Sequence, residues 1–267
     1  MKKYSLFPIY IILILIIMYV PILVVIIYSF NQSRLTYSWS GFSLHWYREL
    51  INDRSMFEAL INSLVLASLS SISAAIVGTL GAAGMTRQKT GRPGKIIEYL
   101  SILPIMTPEI ILGMIFLAFF TFLSIPFGMT TLVIAHTAFC IPYVYILVKA
   151  RLANLDKSYI EAARIMGASG IRAFYDITLP LMLPAVISGM LISFAMSFDD
   201  VIISVFVSGV HTNTLPMKIY SQIKTGVTPK TNAMCAIIFL VTILICVTAA
   251  IVSKSGKRYE TRGKGRI

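Results

Sequence analysis

The chain has 267 residues, 57% of them hydrophobic and 13% charged, with a formal net charge of +12. Its mean hydropathy of +0.82 lies beyond the range of soluble domains, so the composition describes a polytopic membrane protein. The excess of base invites a nucleic-acid partner. Nucleic acid is excluded, because Lys and Arg stand in short loops and the C-terminal segment between apolar runs, with no basic helix face or aromatic platform among them.

A bilayer-spanning helix needs about 20 mostly apolar residues, and six segments qualify: about 7–30, 60–86, 96–123, 130–150, 181–208 and 233–252. The expected fold is all-α, a single membrane domain over 1–267. The first segment follows Met1-Lys2-Lys3 but is too long for a signal sequence and lacks a small-residue cleavage site, so it reads as a retained anchor. Seventeen of the 23 basic residues fall on the side of both termini and six on the other, which predicts cytoplasmic termini.

The outer loop after the first segment, Asn31 to Phe57, is rich in Tyr, Trp and Arg and includes Trp39, Trp46 and Tyr47. Such aromatics serve as interface anchors, and Trp46 is also a candidate contact for substrate or partner. The second segment carries Ser63, Ala67, Ser70, Ala74, Gly78 and Gly81 at helical spacing on one face, a stripe that lets a neighbouring helix approach closely. In the third, Thr107-Pro108-Glu109 reads as the start of a new helix inside the span. Glu109 serves there either as an acid at a helix N-terminus or as a substrate ligand.

Between the fourth and fifth segments lies the polar passage 154–180. Ser158 and Glu161 fit a capping box that starts a short helix, Gly167 offers the positive φ that ends it, and Ser169 can cap a second helical stretch. Pro180 and Pro184 are expected to stop that stretch and restart the chain as the fifth span. On that span Gly189, Ser193, Ser197, Asp200, Ser204 and Ser208 share one small, polar face that plausibly lines a pathway, with Asp199 turned about 100° away from it. Asp199 and Asp200 stand roughly 27 Å above Leu181, and Glu109 about 20 Å above Ile96, all three past the midplane toward the outside. No Lys or Arg lies within the third or fifth segment. These acids are therefore protonated, reached by water or met by a cation, and for Asp200 a pathway role competes with a structural one.

Cys140, Cys235 and Cys246 all fall in apolar runs, so no disulfide is expected, and His45, His136 and His211 have no metal-ligand spacing. The tail 254–267 is basic and glycine-rich, suited to anionic lipid headgroups. Gly91 to Lys95 lacks the spacing and hydroxyl of a phosphate-binding loop, and no catalytic constellation is present, so the chain is not expected to be an enzyme and binds no cofactor of its own.

The sequence Glu161-Ala162-Ala163, three residues, Gly167, nine residues, then Ile177 to Pro180 resembles the cytoplasmic signature loop of bacterial ABC-importer permeases. Over its whole length the chain is also similar to the C-type permeases of spermidine/putrescine importers, at Tyr28 to Asn31, Trp46-Tyr47, Pro104 to Glu109 and Ser197 to Asp200. The resemblance implies a multi-pass subunit of the bacterial plasma membrane that docks on a cytoplasmic ATPase dimer through Glu161, Ala162, Ala163, Met166 and Gly167. ATP and Mg would belong to that ATPase. It further implies a homologous second permease, an extracytoplasmic polyamine-binding protein, and a cargo pathway involving Glu109, Asp199, Asp200 and Trp46. Separated carboxylates and aromatic faces suit a polyamine. Ferric ion or thiamine as cargo, and a stand-alone secondary transporter, are the rival readings.

Overall fold

The computed structural model describes residues 7–34, 38–87, 92–156 and 158–244. Their regular structure is helical: α1 (Phe7–Tyr28), α2 (His45–Ile51), α3 (Arg54–Arg87), α4 (Arg92–Met106), α5 (Glu109–Phe122), α6 (Met129–Ala153), α7 (Ser158–Ile165), α8 (Gly170–Ala173), a π-helical turn (Phe174–Thr178), α9 (Leu179–Asp199), α10 (Ile202–Val207) and α11 (Leu215–Thr225). α12 (Pro229–Leu244) follows.

Four helical stretches are long and apolar enough to cross a membrane: Pro8–Tyr28, Arg54–Thr86, Met129–Ala153 and Gly170–Asp199. A fifth crossing is the pair α4 and α5, bent by 111° at the break between Met106 and Glu109. Pro108 has no N–H to continue the ladder and turns Thr107 away from helical geometry, so the break falls where the sequence predicts it. The bend corrects one expectation: residues 96–123 are not a straight rod, so Glu109 does not stand 20 Å above Ile96. The second span also starts earlier than predicted, at Arg54. Of the sixth predicted segment, 245–252 lies outside the described residues, as do Lys157, Cys246 and the basic tail 254–267.

The contacts divide into two compact units, one drawn from the described residues of Met1–Arg54 and Ser221–Ile267, the other from Ser55–Tyr220. In the second unit α6 is the central helix, and Val144 shows why the predicted small-residue stripe is needed. A Cβ on Gly78 of α3 would fall 2.9 Å from Val144 Cβ, and one on Gly189 of α9 would fall 2.9 Å from Val144 Cα. Lipid-embedded helices lack a strong hydrophobic drive toward each other, so this close approach and its dispersion contacts hold them together. Ser63, Ala67, Ser70, Ala74 and Gly78 are all buried, whereas Gly81 is exposed and the buried row continues at Ala82. α5 meets α10 by the same device, because a Cβ on Gly113 would lie 2.4 Å from the Phe206 ring.

In the first unit the apolar window of α1 buries none of its residues, as suits a helix apolar on every side. Beyond it the chain is knotted by the aromatic motifs. Trp46 Nε1 donates to the Asn31 carbonyl at 2.7 Å, the Tyr47 hydroxyl meets Ser29 Oγ at 2.7 Å, and Phe30 stacks on Phe42 at 5.1 Å. Asn31 Nδ2 donates to the Ser38 carbonyl, and its Oδ1 accepts from the Ser40 amide.

Candidate functional site

The loop before the fifth span has the parts the sequence predicts, with one cap displaced. α7 begins at Ser158, but the start is secured by Asp156, whose Oδ1 accepts from the Ser158 amide at 2.9 Å. This corrects the expected capping box, because Ser158 already lies within the helix. The backbone and side-chain hydrogen bonds from Ser158 hold the Asp156 carboxyl below the usual aspartate value. The other end is a Schellman motif: Gly167 takes φ +87°, its amide donates to the Arg164 carbonyl, and the Ala168 amide donates to Ala163. α7 exposes Glu161 and Ala162 and buries Ala163, while Ile165 and the following Met166 are each 87% exposed. Bare apolar side chains beside an exposed carboxylate form a surface that a partner protein can cover.

Ser169 caps α8 as predicted, its Oγ accepting from the Arg172 amide at 3.2 Å. The prolines, however, do not interrupt the helix. Gly170–Asp199 runs as one stretch, with Pro180 in the first turn of α9 and the π turn just before it. In that turn the Leu179 amide reaches back to Phe174, and the Thr178 hydroxyl donates to the Ala173 carbonyl. The wider turn absorbs the proline, which has no amide to donate and would crowd an α-helical carbonyl.

The acids at the far end of this helix part company. α9 ends at Asp199, which is exposed, and Asp200 adopts an extended ψ of 132° before α10 begins. Asp200 is 8% exposed. Its carboxylate accepts from the Ile203 and Ser204 amides at 3.2 and 2.8 Å and from Ser204 Oγ at 2.9 Å, which makes it the cap of α10. His136 of α6 completes the cluster: Nδ1 lies 2.8 Å from Ser197 Oγ, while Nε2 lies 3.1 Å from Ser204 Oγ and 3.4 Å from Asp200 Oδ2. The face expected to line a pathway thus packs against α6 at Gly189, Ser193, Ser197, Asp200 and Ser204, because a histidine answers its charge and small residues admit the neighbouring helix. Glu109 is half-buried in the first turn of α5, at the 111° break. The structure brings Asp200 together with His136 and leaves Asp199 open. His136 escaped the sequence reading, although the rule that flags acids inside spans applies equally to a histidine in the fourth.

A second polar cluster lies in the first unit. Lys230 Nζ stands 2.6 Å from Asp53 Oδ2 and 3.2 Å from Glu49 Oε1, and His45 Nε2 stands 3.7 Å from Glu49 Oε2. Burial pulls the Lys230 ammonium down, but its hydrogen bonds to Asp53 and Glu49 outweigh that and hold it above the usual lysine value. Trp46, Glu49, Gln222, Thr228 and Lys230, with Arg34 and His45, line a cavity of about 400 Å³. Among the described residues no group of His, Cys, Asp and Glu is arranged to hold a metal ion.

Apolar spanning helices and a short, externally presented helix between two of them define the membrane component of a transporter whose motor is elsewhere. Residues 74–259 match the family described as binding-protein-dependent transport system inner membrane component, and the chain belongs to it. It is a permease subunit of an ABC importer, the non-catalytic transmembrane part, and works with an ATPase and a substrate-binding protein. The chain is 38% identical over 237 residues to the spermidine/putrescine transport system permease protein PotC of Haemophilus influenzae, covering 89% of this chain and 92% of that one. It is 39% identical over 227 residues to the putrescine transport system permease protein PotI of Escherichia coli K12, covering 83% and 81%. A chain of a bacterial ABC transporter that imports the acidic polysaccharide alginate superposes with a TM-score of 0.72 at 15% identity, covering 95% and 99%. The MetNI methionine transporter gives 0.61 at 16% identity, covering 73% and 92%. Likeness at that identity concerns the fold, and function resides in the side chains placed on it.

Proposed function

We propose that this chain forms one half of the translocation pathway of a polyamine importer in the bacterial plasma membrane, with both termini in the cytoplasm. The observation that carries the cargo is its 38% identity to PotC across 89% of the chain, in which Trp46-Tyr47 and Asp199-Asp200 are included. The partners are a homologous second permease, an ATPase dimer that holds ATP and Mg, and an extracytoplasmic protein that delivers spermidine or putrescine. Glu161, Ala162, Ala163, Met166 and Gly167 seat α7 on the ATPase. Glu109 and Asp199 meet the cation, Asp200 fixes the break that aims Asp199, and Trp46 holds the outer segment in shape. ATP-driven closure of the motor rocks the helices between outward-open and inward-open states.

The test is competition uptake in vesicles holding the whole complex. Labelled spermidine should enter only with ATP and should be displaced by putrescine but not by ferric ion or thiamine. Uptake of either of those in place of spermidine would overturn the cargo.

A further inference from the structure

The Lys230 cluster takes no part in the pathway just described, yet its chemistry is that of an amine receptor. The side chain of lysine is a butylammonium, the same head and tether that a putrescine end presents. It meets two carboxylates, at 2.6 Å from Asp53 and 3.2 Å from Glu49, beside a cavity of about 400 Å³ walled partly by Trp46. That volume lies within the range of about 300–1,000 Å³ common to small-ligand sites. Asp53 and Lys230 are 18% and 19% exposed at their side chains, so a Lys230 swung outward would leave partly desolvated carboxylates that call for another cation. Arg34 lines the same cavity and repels further positive charge, which keeps a captured amine loosely held and fit for onward passage.

The geometry points to a recognition site for primary alkylammonium groups, formed by Glu49 and Asp53 at this cavity, in which the Lys230 ammonium holds the place of a cargo amine. The inference rests on the polyamine reading above. Arriving cargo exchanges with Lys230, and the lysine returns when the cargo moves on, so the carboxylates are never left bare.

Zero-length carbodiimide coupling reads this exchange directly, since Lys230 and Asp53 are in contact range in the cargo-free state. In the reconstituted whole importer, spermidine should cut the Lys230–Asp53 crosslink about fivefold, and magnesium at equal ionic strength should not. Equal loss with both cations overturns the site. In parallel, Lys230→Gln should retain labelled spermidine about fivefold more tightly than wild type without the binding protein, and adding Glu49→Gln and Asp53→Asn should abolish the gain. No gain in Lys230→Gln, or a gain that survives loss of both carboxylates, also overturns it. If Lys230→Gln does not assemble, the wild-type crosslink alone decides. Wild-type uptake separates the two readings. Normal spermidine uptake with an undisturbed crosslink rejects this site alone, whereas no spermidine uptake rejects the cargo and this inference with it.

Discussion

At the level of single residues, the cluster around Asp200 can be taken down to its protons. Ser204 Oγ donates its one hydrogen to Asp200 Oδ2, so toward His136 Nε2 it can only accept, and the ring carries its proton on Nε2. Nδ1 is then the acceptor for the Ser197 hydroxyl. His136 thereby ties the end of α9 to the start of α10 across the break at Asp200. His136→Leu should cost about 1–3 kcal/mol by orphaning these buried partners. Asp200→Asn keeps an oxygen for the α10 amides and should cost under about 1 kcal/mol, whereas Asp200→Ala should cost about 1–2 kcal/mol. Thermal unfolding of the solubilised complex ranks the three variants, and equal midpoints for Asp200→Asn and Asp200→Ala would remove the capping role. From sequence the acids were visible and their partner was not. Asp200 and His136 are 64 positions apart, and only the packing of α6 on α9 brings them together.

Among the elements, legibility followed local chemistry. The stop of α7 at Gly167, the cap at Ser169 and the break before Glu109 depend on neighbours within a few residues, and all three appear where the sequence puts them. The π turn was not legible, since a proline normally signals a stop and only the tertiary seat of Phe174 and Thr178, both buried, favours carrying the helix through it. Two substitutions test these elements separately. Gly189→Ala drives a Cβ to 2.9 Å from the Val144 backbone and should destabilise α6–α9 packing by about 1–3 kcal/mol, whereas Gly84→Ala, with nothing within 4 Å, should leave stability unchanged or raise it. Gly167→Ala also meets no neighbour, so its effect isolates the φ of +87°. It should cost about 1 kcal/mol locally, fray the end of α7 and lower uptake with ATP hydrolysis retained. Full uptake by a well-expressed Gly167→Ala importer would dissociate this turn from coupling. The start of α7 depends on charge: because the folded Asp156 value is depressed, its cap is present above the ordinary aspartate range near about 4 and fades as the pH falls through the lower folded value.

For the molecule as a whole, one continuous helical stretch from Gly170 to Asp199 joins the loop proposed to meet the motor to the acid proposed to meet the cargo. Its 30 residues span about 45 Å at 1.5 Å per residue, enough to cross the hydrocarbon core, and a continuous helix transmits rotation as well as displacement. The π turn sets the phase between its two ends, because it accommodates one residue more than an α-helical turn would. Deleting Ile177 should convert the turn to α-helix and rotate α7 and α8 by about 100° relative to α9, while Met182, Gly189 and Ser193 keep their seats against α6. The deletion variant should therefore assemble and hydrolyse ATP but lose more than about tenfold in uptake, as expected when a positioning element is misaligned. Ile177→Ala, which removes side chain but not phase, should retain most of the uptake. Equal uptake by the deletion and the alanine variant would show that Glu161 and Asp199 communicate through some route other than this helix.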